Sequence, residues 1–319
     1  MRDVYIGVDI GGTNTVIGLF DQDLKLQARK SFRTSLPHFP NKTDNPKAFM
    51  DELAGEILRL IRDIDYGARL AGAGMGVPGR VDPVNGIALA ASNLAWFNVP
   101  IAAEMSERLG APVRIDNDVR IYTLGEIMAG AAKGSRSVIG VTLGTGLAAG
   151  IMVEGKMLGG NDWFAGELGH DPVPGQNERC NCGGYGCLET IASATGIARL
   201  GAEAAEKGNT SLHSLNRKIT AIDVYQAAAS GDSAAVDIFR FVGTTLGNKL
   251  MTAIYLLNPE TIIIGGGASA AGELLLRPIR ETINAKYKFT IKPPITIAAL
   301  GDSAGLYGGV HYARSRSGE

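Results

Sequence analysis

Cys180, Cys182 and Cys187 fall within eight positions, and His170 stands ten residues before the first of them; the chain has no other cysteine. An odd number of thiols cannot close a disulfide framework, and a chain of 319 residues needs no covalent staple to bury a core. Three thiolates and one imidazole have the composition of a closed tetrahedral site, the usual form of structural zinc. The spacing C-x-C-x4-C is tighter than the common C-x2-C pattern. The plain alternative is therefore a set of reduced, buried thiols in a glycine-rich loop.

A second constellation is "RIDNDVR", Arg114 to Arg120, which sets two carboxylates and an amide where a short strand passes into a helix. Asp118 is there either as an N-cap or as a base that takes a proton from a substrate hydroxyl while Asn117 orients it. Phosphoryl transfer asks little else of a protein, because positioning and charge neutralisation supply most of the catalysis. Two glycine turns match that chemistry: "DIGGTN" (Asp9 to Asn14) and "LGTG" (Leu143 to Gly146). Tight turns without side-chain bulk aim backbone N–H groups at phosphate oxygens, and the threonine hydroxyls add donors. Asp9, just before the first turn, suits Mg²⁺ held directly or through water. Each turn alone is an ordinary hairpin; the pair is the signal.

Three stretches fit glycine-rich nucleotide patterns. "GMGVPG" (Gly74 to Gly79) and "GTGLAA" (Gly144 to Ala149) do not open a helix, as a dinucleotide fingerprint must. "IIIGGGASAAGELLL" reads strand, turn, helix, which supports nucleotide binding at Gly265, Gly266 and Gly267 without naming the nucleotide. No phosphate-loop lysine motif occurs.

These residues need a scaffold, and the chain shows a duplicated one. "YIGVDIGGTNTVIGLF" (Tyr5 to Phe20) and "VIGVTLGTGLAAGIMV" (Val138 to Val153) both read strand, glycine-threonine turn, strand, and each is followed by another extended segment. Aligned on Ile6 and Ile139, they pair Asp9 with Thr142 and Gly11 with Gly144. Helical periodicity over 46–64, 101–110, 118–131, 233–259 and 270–287 alternates with short apolar strands at 70–79, 112–116 and 261–265. That alternation predicts an α/β protein with buried sheets in two domains, and a cleft between them.

Composition excludes several function classes. With 45% hydrophobic and 20% charged residues, the chain is an ordinary globular protein. A formal net charge of −1 leaves no electrostatic footprint for nucleic acid. The longest uncharged stretches are broken by proline, asparagine or glycine, so no membrane span is expected. The opening "MRDVYIGVDI" enters a strand pattern at once. That argues against a signal peptide and, with reduced cysteines, predicts a cytoplasmic protein.

The segments "DIGGTN", "GVPG", "SNLAWFNVP", "DND", "TLGTG", "AGELGH", "CNCGGYGCLE", "NPETIIIGGG" and "GDSAGLYGG" together resemble the ROK family of repressors and sugar kinases, and its bacterial glucokinase branch most closely. They run from residue 9 to 309. The resemblance implies an actin-like ATPase (ribonuclease H-like) fold of two duplicated domains: residues 1–118, with a C-terminal helix near 303–319 packing back on them, and 119–302. It implies transfer of the ATP γ-phosphate to a hexose, with Asp118 as catalytic base. By the same resemblance, Asn93, Asn117, Asp118, Glu167, His170 and Glu189 bind sugar hydroxyls, and His170, Cys180, Cys182 and Cys187 bind zinc. Gly11, Gly12, Thr13, Gly144, Thr145 and Gly146 correspond to phosphate-binding positions, with Asp9 and Asn14 beside them, and Gly265 to Gly267 to the loop near the nucleoside. ATP, Mg²⁺ and structural Zn²⁺ are thus the implied cofactors, and a homodimer the implied assembly. Zinc would fix the tautomer of His170 and brace the sugar pocket without taking part in the chemistry.

The chain departs from the family pattern in three places. Val119 and Arg120 replace the usual alanine and asparagine after the base, and Arg120 is expected to point into solvent, with the phosphate path as the alternative. Ala148 and Ala149 stand where glycines are common, and Asn14 where related chains often carry lysine. Glucose is the first expected acceptor, with N-acetylglucosamine and N-acetylmannosamine as alternatives and polyphosphate as an alternative donor. A transcriptional repressor would need a DNA-binding domain before the first turn, where only eight residues precede Asp9. A silent sugar sensor is opposed by Asp118 and both turns.

Overall fold

The computed structural model describes residues 2–34, 45–65 and 67–315. The chain divides into two compact units: Met1–Gly134 with Gly159–Ala165 and Asp302–Glu319, and Ser135–Leu158 with Gly166–Gly301.

In the first unit, strands β1 (Asp3–Ile10), β2 (Asn14–Phe20) and β3 (Leu26–Arg33) precede helix α1 (Asn45–Ile64) and strand β4 (Arg69–Val77). Short strands β5 (Arg80–Asp82), β6 (Ile87–Ala91) and β7 (Trp96–Val99) form a small separate sheet. Helix α2 (Ile101–Leu109), strand β8 (Val113–Asn117) and helix α3 (Asp118–Ala129) follow. The main sheet has the order β3-β2-β1-β4-β8, antiparallel through the β1–β2–β3 meander and parallel from β1 to β8.

The second unit repeats the plan. Strands β9 (Val138–Leu143), β10 (Leu147–Val153) and β11 (Lys156–Met157) are followed by helices α4 (Glu189–Ala192), α5 (Ala194–Glu206), α6 (Ala221–Ala229) and α7 (Ser233–Leu257). Strand β12 (Thr261–Gly265), helix α8 (Glu273–Lys286) and strand β13 (Ile295–Ile297) complete it. Its sheet order, β11-β10-β9-β12-β13, matches the first strand for strand and direction for direction. Helix α9 (Ala304–Arg314) closes the described chain within the first unit. No helix among the described residues is long and apolar enough to cross a membrane.

Each sheet buries a face through the two-residue period of its strands. Val4, Ile6, Val8 and Ile10 of β1 pack in one cluster with Phe49, Met50, Leu53, Ile57 and Ile61, the apolar stripe of α1. In the second unit, Ile139, Val141 and Leu143 of β9 share a core with Phe239, Val242, Leu246 and Leu250 of α7.

The other face of the first sheet is built differently. Along "GAGMG" of β4, Gly72, Gly74 and Gly76 alternate with buried Ala73 and Met75, so one face is nearly bare backbone. Helix α9 lies against it: a Cβ at Gly74 would sit 1.9 Å from the Gly309 carbonyl oxygen, and one at Gly7 of β1 2.1 Å from that of Leu306. The nucleotide-like pattern at Gly74 is therefore a strand made for helix contact. Helices α3 and α9 approach as closely, because a Cβ at Gly308 would sit 1.8 Å from the Ile121 carbonyl oxygen and one at Gly125 1.9 Å from that of Ala304. This contact carries α3 into the first unit, and the division of the chain falls at Gly134, beyond the boundary expected at residue 118.

A methyl group at this crossing has nowhere to go but into backbone. Gly308→Ala is expected to destabilise the protein by about 1–3 kcal/mol, read as a lowered urea midpoint; an unchanged midpoint would show that α9 can shift at no expense.

Candidate active site

Strand β8 ends where α3 begins, and that junction aims Asp118. Asn117 is the N-cap: its Oδ1 accepts from the backbone N–H groups of Val119 (3.0 Å) and Arg120 (3.1 Å). Its Nδ2 donates to the Gly79 carbonyl and to Asp118 Oδ1, both at 2.9 Å. Asp118 Oδ1 also accepts from Val119 N at 2.9 Å. The cap role open to Asp118 from sequence thus belongs to Asn117, and Asp118 is the first helical residue with one oxygen oriented by two donors. Gly76 lets this junction sit close over the sheet, since a Cβ there would lie 3.2 Å from Asp118 Cα.

Arg120 corrects an expectation. It is 3% exposed rather than solvated, and its guanidinium Nε donates to Asp116 Oδ1 at 2.8 Å. Sequence reading missed Asp116 as its partner; the i, i+4 spacing was the available signal, but a strand–helix junction hides it.

The two glycine turns have separate supports. In the first, Gly11 N donates to the Asn14 carbonyl at 3.0 Å and Thr34 N to the Thr13 carbonyl at 2.9 Å. Gly12 backs onto Asn93, whose Cβ would lie 3.6 Å from a Cβ at residue 12. In the second, Gly144 N donates to the Gly146 carbonyl at 3.0 Å, while Ala194 N and Thr195 Oγ1 at the start of α5 hold the carbonyls of Gly144 (2.8 Å) and Thr145 (2.6 Å). A Cβ at Gly146 would lie 2.8 Å from Glu189 Oε2, so the turn and that carboxylate share one spot. Ala148 and Ala149 lie in β10, on the strand leaving the turn.

The thiol cluster assembles as the sequence suggested. Ligand atoms of His170, Cys180, Cys182 and Cys187 lie within 4.8 Å of one another. Cys182 Sγ and Cys187 Sγ are 3.7 Å apart, as are Cys180 Sγ and His170 Nδ1. A tetrahedron with zinc–sulfur bonds of about 2.3 Å has an edge of about 3.8 Å, so the donor set fits such an ion.

The surrounding backbone holds the cluster. Cys180 N donates to the Gly184 carbonyl (2.9 Å) and Gly186 N to that of Glu178 (2.8 Å), and Lys249 on α7 pairs with Asp171 at 2.9 Å. Gly166 has φ +99°, and a Cβ there would meet the Ala149 carbonyl oxygen at 1.8 Å, which explains the glycine that opens "GELGH". Burial, with the hydrogen bond to Glu189, pushes the Cys180 thiol up; the Gly184 N–H holds Cys182 down. His170 Nε2 sits 3.6 Å from Glu167 Oε2, and Cys180 Sγ donates to Glu189 Oε1 at 2.8 Å. Of the six carbohydrate candidates, Asn93, Asn117 and Asp118 belong to the first unit, and Glu167, His170 and Glu189 to the second.

Gly265 ends β12, and Gly266 (φ +79°) turns against β9, where a Cβ would meet the Leu143 backbone at 2.6 Å. Gly267 borders an apolar cavity of about 270 Å³ lined also by Ile197, Ile222, Tyr225, Phe239, Ala268 and Ala271. Sequence reading missed these residues, because each looks like an ordinary core position of its own helix or turn.

Asp9 ends against α9: a Cβ at Gly305 would lie 2.8 Å from its Cγ. Burial raises its pKa from the ordinary 3.8 to about 6, with the Asp302 carboxylate adding to the rise and Arg29 opposing it.

The ROK family model matches residues 5–316. The glucokinase of Halalkalibacterium halodurans is 35% identical over 313 residues, 96% of this chain and 93% of that protein. An N-acetyl-D-glucosamine kinase from Aliivibrio fischeri is 30% identical over 96% of this chain and 97% of its own. Among solved structures, a ROK family glucokinase from Streptomyces griseus, in complex with glucose and AMPPNP, is 30% identical. It covers 98% of this chain and 99% of that one, with a TM-score of 0.79.

A raised carboxyl pKa makes the folded state bind the extra proton between pH 3.8 and about 6, so the Asp9 contribution to stability falls as pH rises through that window. Asp9→Asn removes the titration. Its melting temperature relative to wild type is expected to rise between about pH 4 and about pH 7; a constant difference would show that Asp9 is not strained by its charge.

Proposed function

The chain belongs to the ROK family and has the actin-like ATPase two-domain fold, and from that premise we propose that it transfers the γ-phosphoryl group of ATP to the 6-hydroxyl of a hexose, glucose before others, with Asp118 as general base. The protein is a glucokinase-like sugar kinase. The observation that carries the choice of base is the fixed carboxylate at the start of α3, oriented by the cap residue beside it.

In this reading Asp118 accepts the hydroxyl proton as the sugar oxygen attacks the γ-phosphorus; the bond to the bridging oxygen breaks, and ADP leaves. Asn93, Asn117, Glu167, His170 and Glu189 hold the remaining hydroxyls, which fixes the attacking oxygen in line. The turns at Gly11–Asn14 and Gly144–Gly146 donate backbone N–H groups to the phosphates. The apolar cavity beside Gly267 takes the adenine, an assignment supported by its lining and by the preference of flat bases for apolar walls. Asp9 would hold Mg²⁺, directly or through water, and the ion would supply charge neutralisation on the phosphates. His170 and the three thiolates would hold zinc, which would supply a rigid knot with no part in the chemistry. With Nδ1 toward the thiols, His170 would keep Nε2 for the sugar.

An N-acetylhexosamine is the second acceptor class, supported by the kinase of A. fischeri. The reading also makes the protein cytoplasmic and homodimeric. Exposed Tyr255, Leu256, Phe289 and Ile291 offer an apolar surface that pairing would cover.

Asp118→Asn is expected to lower kcat by about 10²–10⁴-fold, with the sugar KM changed far less; full activity in a coupled ADP-release assay would remove Asp118 from the chemistry. Initial rates over glucose, mannose, allose, fructose and the two N-acetylhexosamines should rank glucose first. Cys182→Ser is expected to raise the sugar KM and lower the melting temperature together, and wild-type values for both would sink the scaffold role.

A further inference from the structure

Arg120 occupies a position that local physics disfavours. It lies in the first turn of α3, where the helix dipole favours anions over cations. Its side chain is buried with a buried partner, Asp116 at 6% exposure, and a buried ion pair is weak evidence for stability because both charges leave water.

The contacts converge on the base. Asp116 Oδ1 accepts from Arg120 Nε (2.8 Å), from Arg120 Nη2 (2.5 Å) and from the backbone N–H of Asn117 (2.7 Å). Asn117 Oδ1 in turn accepts from Arg120 N, and Asn117 Nδ2 donates to Asp118 Oδ1. Residues 116, 117, 118 and 120 are therefore linked in one continuous network. Arg120 also reaches outward, with Nη2 to the Val81 carbonyl at 3.4 Å and Nη1 to the Trp163 carbonyl at 3.3 Å. Trp163 is held at φ +63°, an uncommon conformation for a bulky residue. Its neighbours are fixed too: Arg80 pairs with Asp162 at 2.8 Å and lies over the Phe164 ring.

We propose that Arg120 is a positioning residue for Asp118: its planar fork, held on Asp116 and on the carbonyls of Val81 and Trp163, sets the angle of the first turn of α3 and with it the direction of the carboxylate. Only a guanidinium has enough donors in fixed directions to reach three acceptors at once. This inference rests on the kinase reading and on Asp118 as its base.

Three variants separate positioning from simple structural support. Arg120→Lys keeps the charge and loses the fork. Arg120→Gln strands the Asp116 charge. Asp116→Asn with Arg120→Gln removes both charges at nearly constant volume. All three are expected to lower kcat by about 10- to 100-fold, the scale of a small misplacement of a reacting group, with the sugar KM within about threefold of wild type. The double variant should regain the melting temperature that Arg120→Gln loses, yet keep the low kcat. Recovery of kcat along with melting temperature in the double variant, or wild-type kcat in Arg120→Lys, would overturn the proposal while wild type remains active and Asp118→Asn keeps its lowered kcat. A wild-type protein inert toward every sugar tested, or an Asp118→Asn variant with full activity, overturns the kinase reading or its base, and this inference with it. If Arg120→Gln does not fold, the lysine and double variants still decide.

Discussion

Backbone meets backbone where the first unit is assembled, and the placement of Asp118 depends on it. One face of β4 is glycine at every second residue, so α9 lies on the strand itself rather than on a layer of side chains. Helices α3 and α9 then cross at Gly125 and Gly308 at a separation no larger residue allows. Packing at this distance tolerates little sliding, because each extra methyl would enter a carbonyl rather than a compressible side chain. The start of α3 inherits that fixity through Gly76, and Asp118 with it.

Duplication explains how a chain with two similar sheets becomes a machine with unlike halves. Both sheets carry the same meander and the same parallel extension, so each offers a hairpin turn at an equivalent place. The supports have diverged. The turn at Gly11 is tied within its own sheet neighbourhood, through Thr13, Asn14 and Thr34. The turn at Gly144 is tied to the first residues of α5, and its neighbour Glu189 leads straight back into the thiol knot. A knot made of short turns and two isolated bridges has little apolar burial of its own. A bound ion can stabilise such a segment because its affinity is spent on ordering the backbone around it.

The candidate site was legible to different degrees at different residues. The strand–helix junction at "DND" was legible, and the cap was expected at Asp118; the structure gives it to Asn117, because which side chain reaches the free N–H groups is decided only in space. The glycines of "GMGVPG" fit a dinucleotide spacing and failed its context, since no helix follows; what spacing could not show is that Gly72, Gly74 and Gly76 bare one face of a strand to α9. Arg120 was misjudged for a related reason. A charged residue is usually solvated, and nothing local marks the two carbonyls, Val81 and Trp163, that lie far away in the chain and receive its fork.

What the amino-acid order settled unaided is whatever depends on neighbours in the chain: the strand and helix periods, the repeated glycine–threonine turn, and the thiols drawn into one loop. These follow from local geometry, in which a period or a spacing of a few residues already defines a face or a ligand set. Tertiary structure alone decided which faces meet. It joined α9 to the first unit across the whole length of the second, buried the Asp116–Arg120 pair, and gathered residues of α5, α6, α7 and the Gly267 turn around one apolar cavity. Those outcomes rest on complementary shapes between distant segments, and shape complementarity has no signature in either segment by itself.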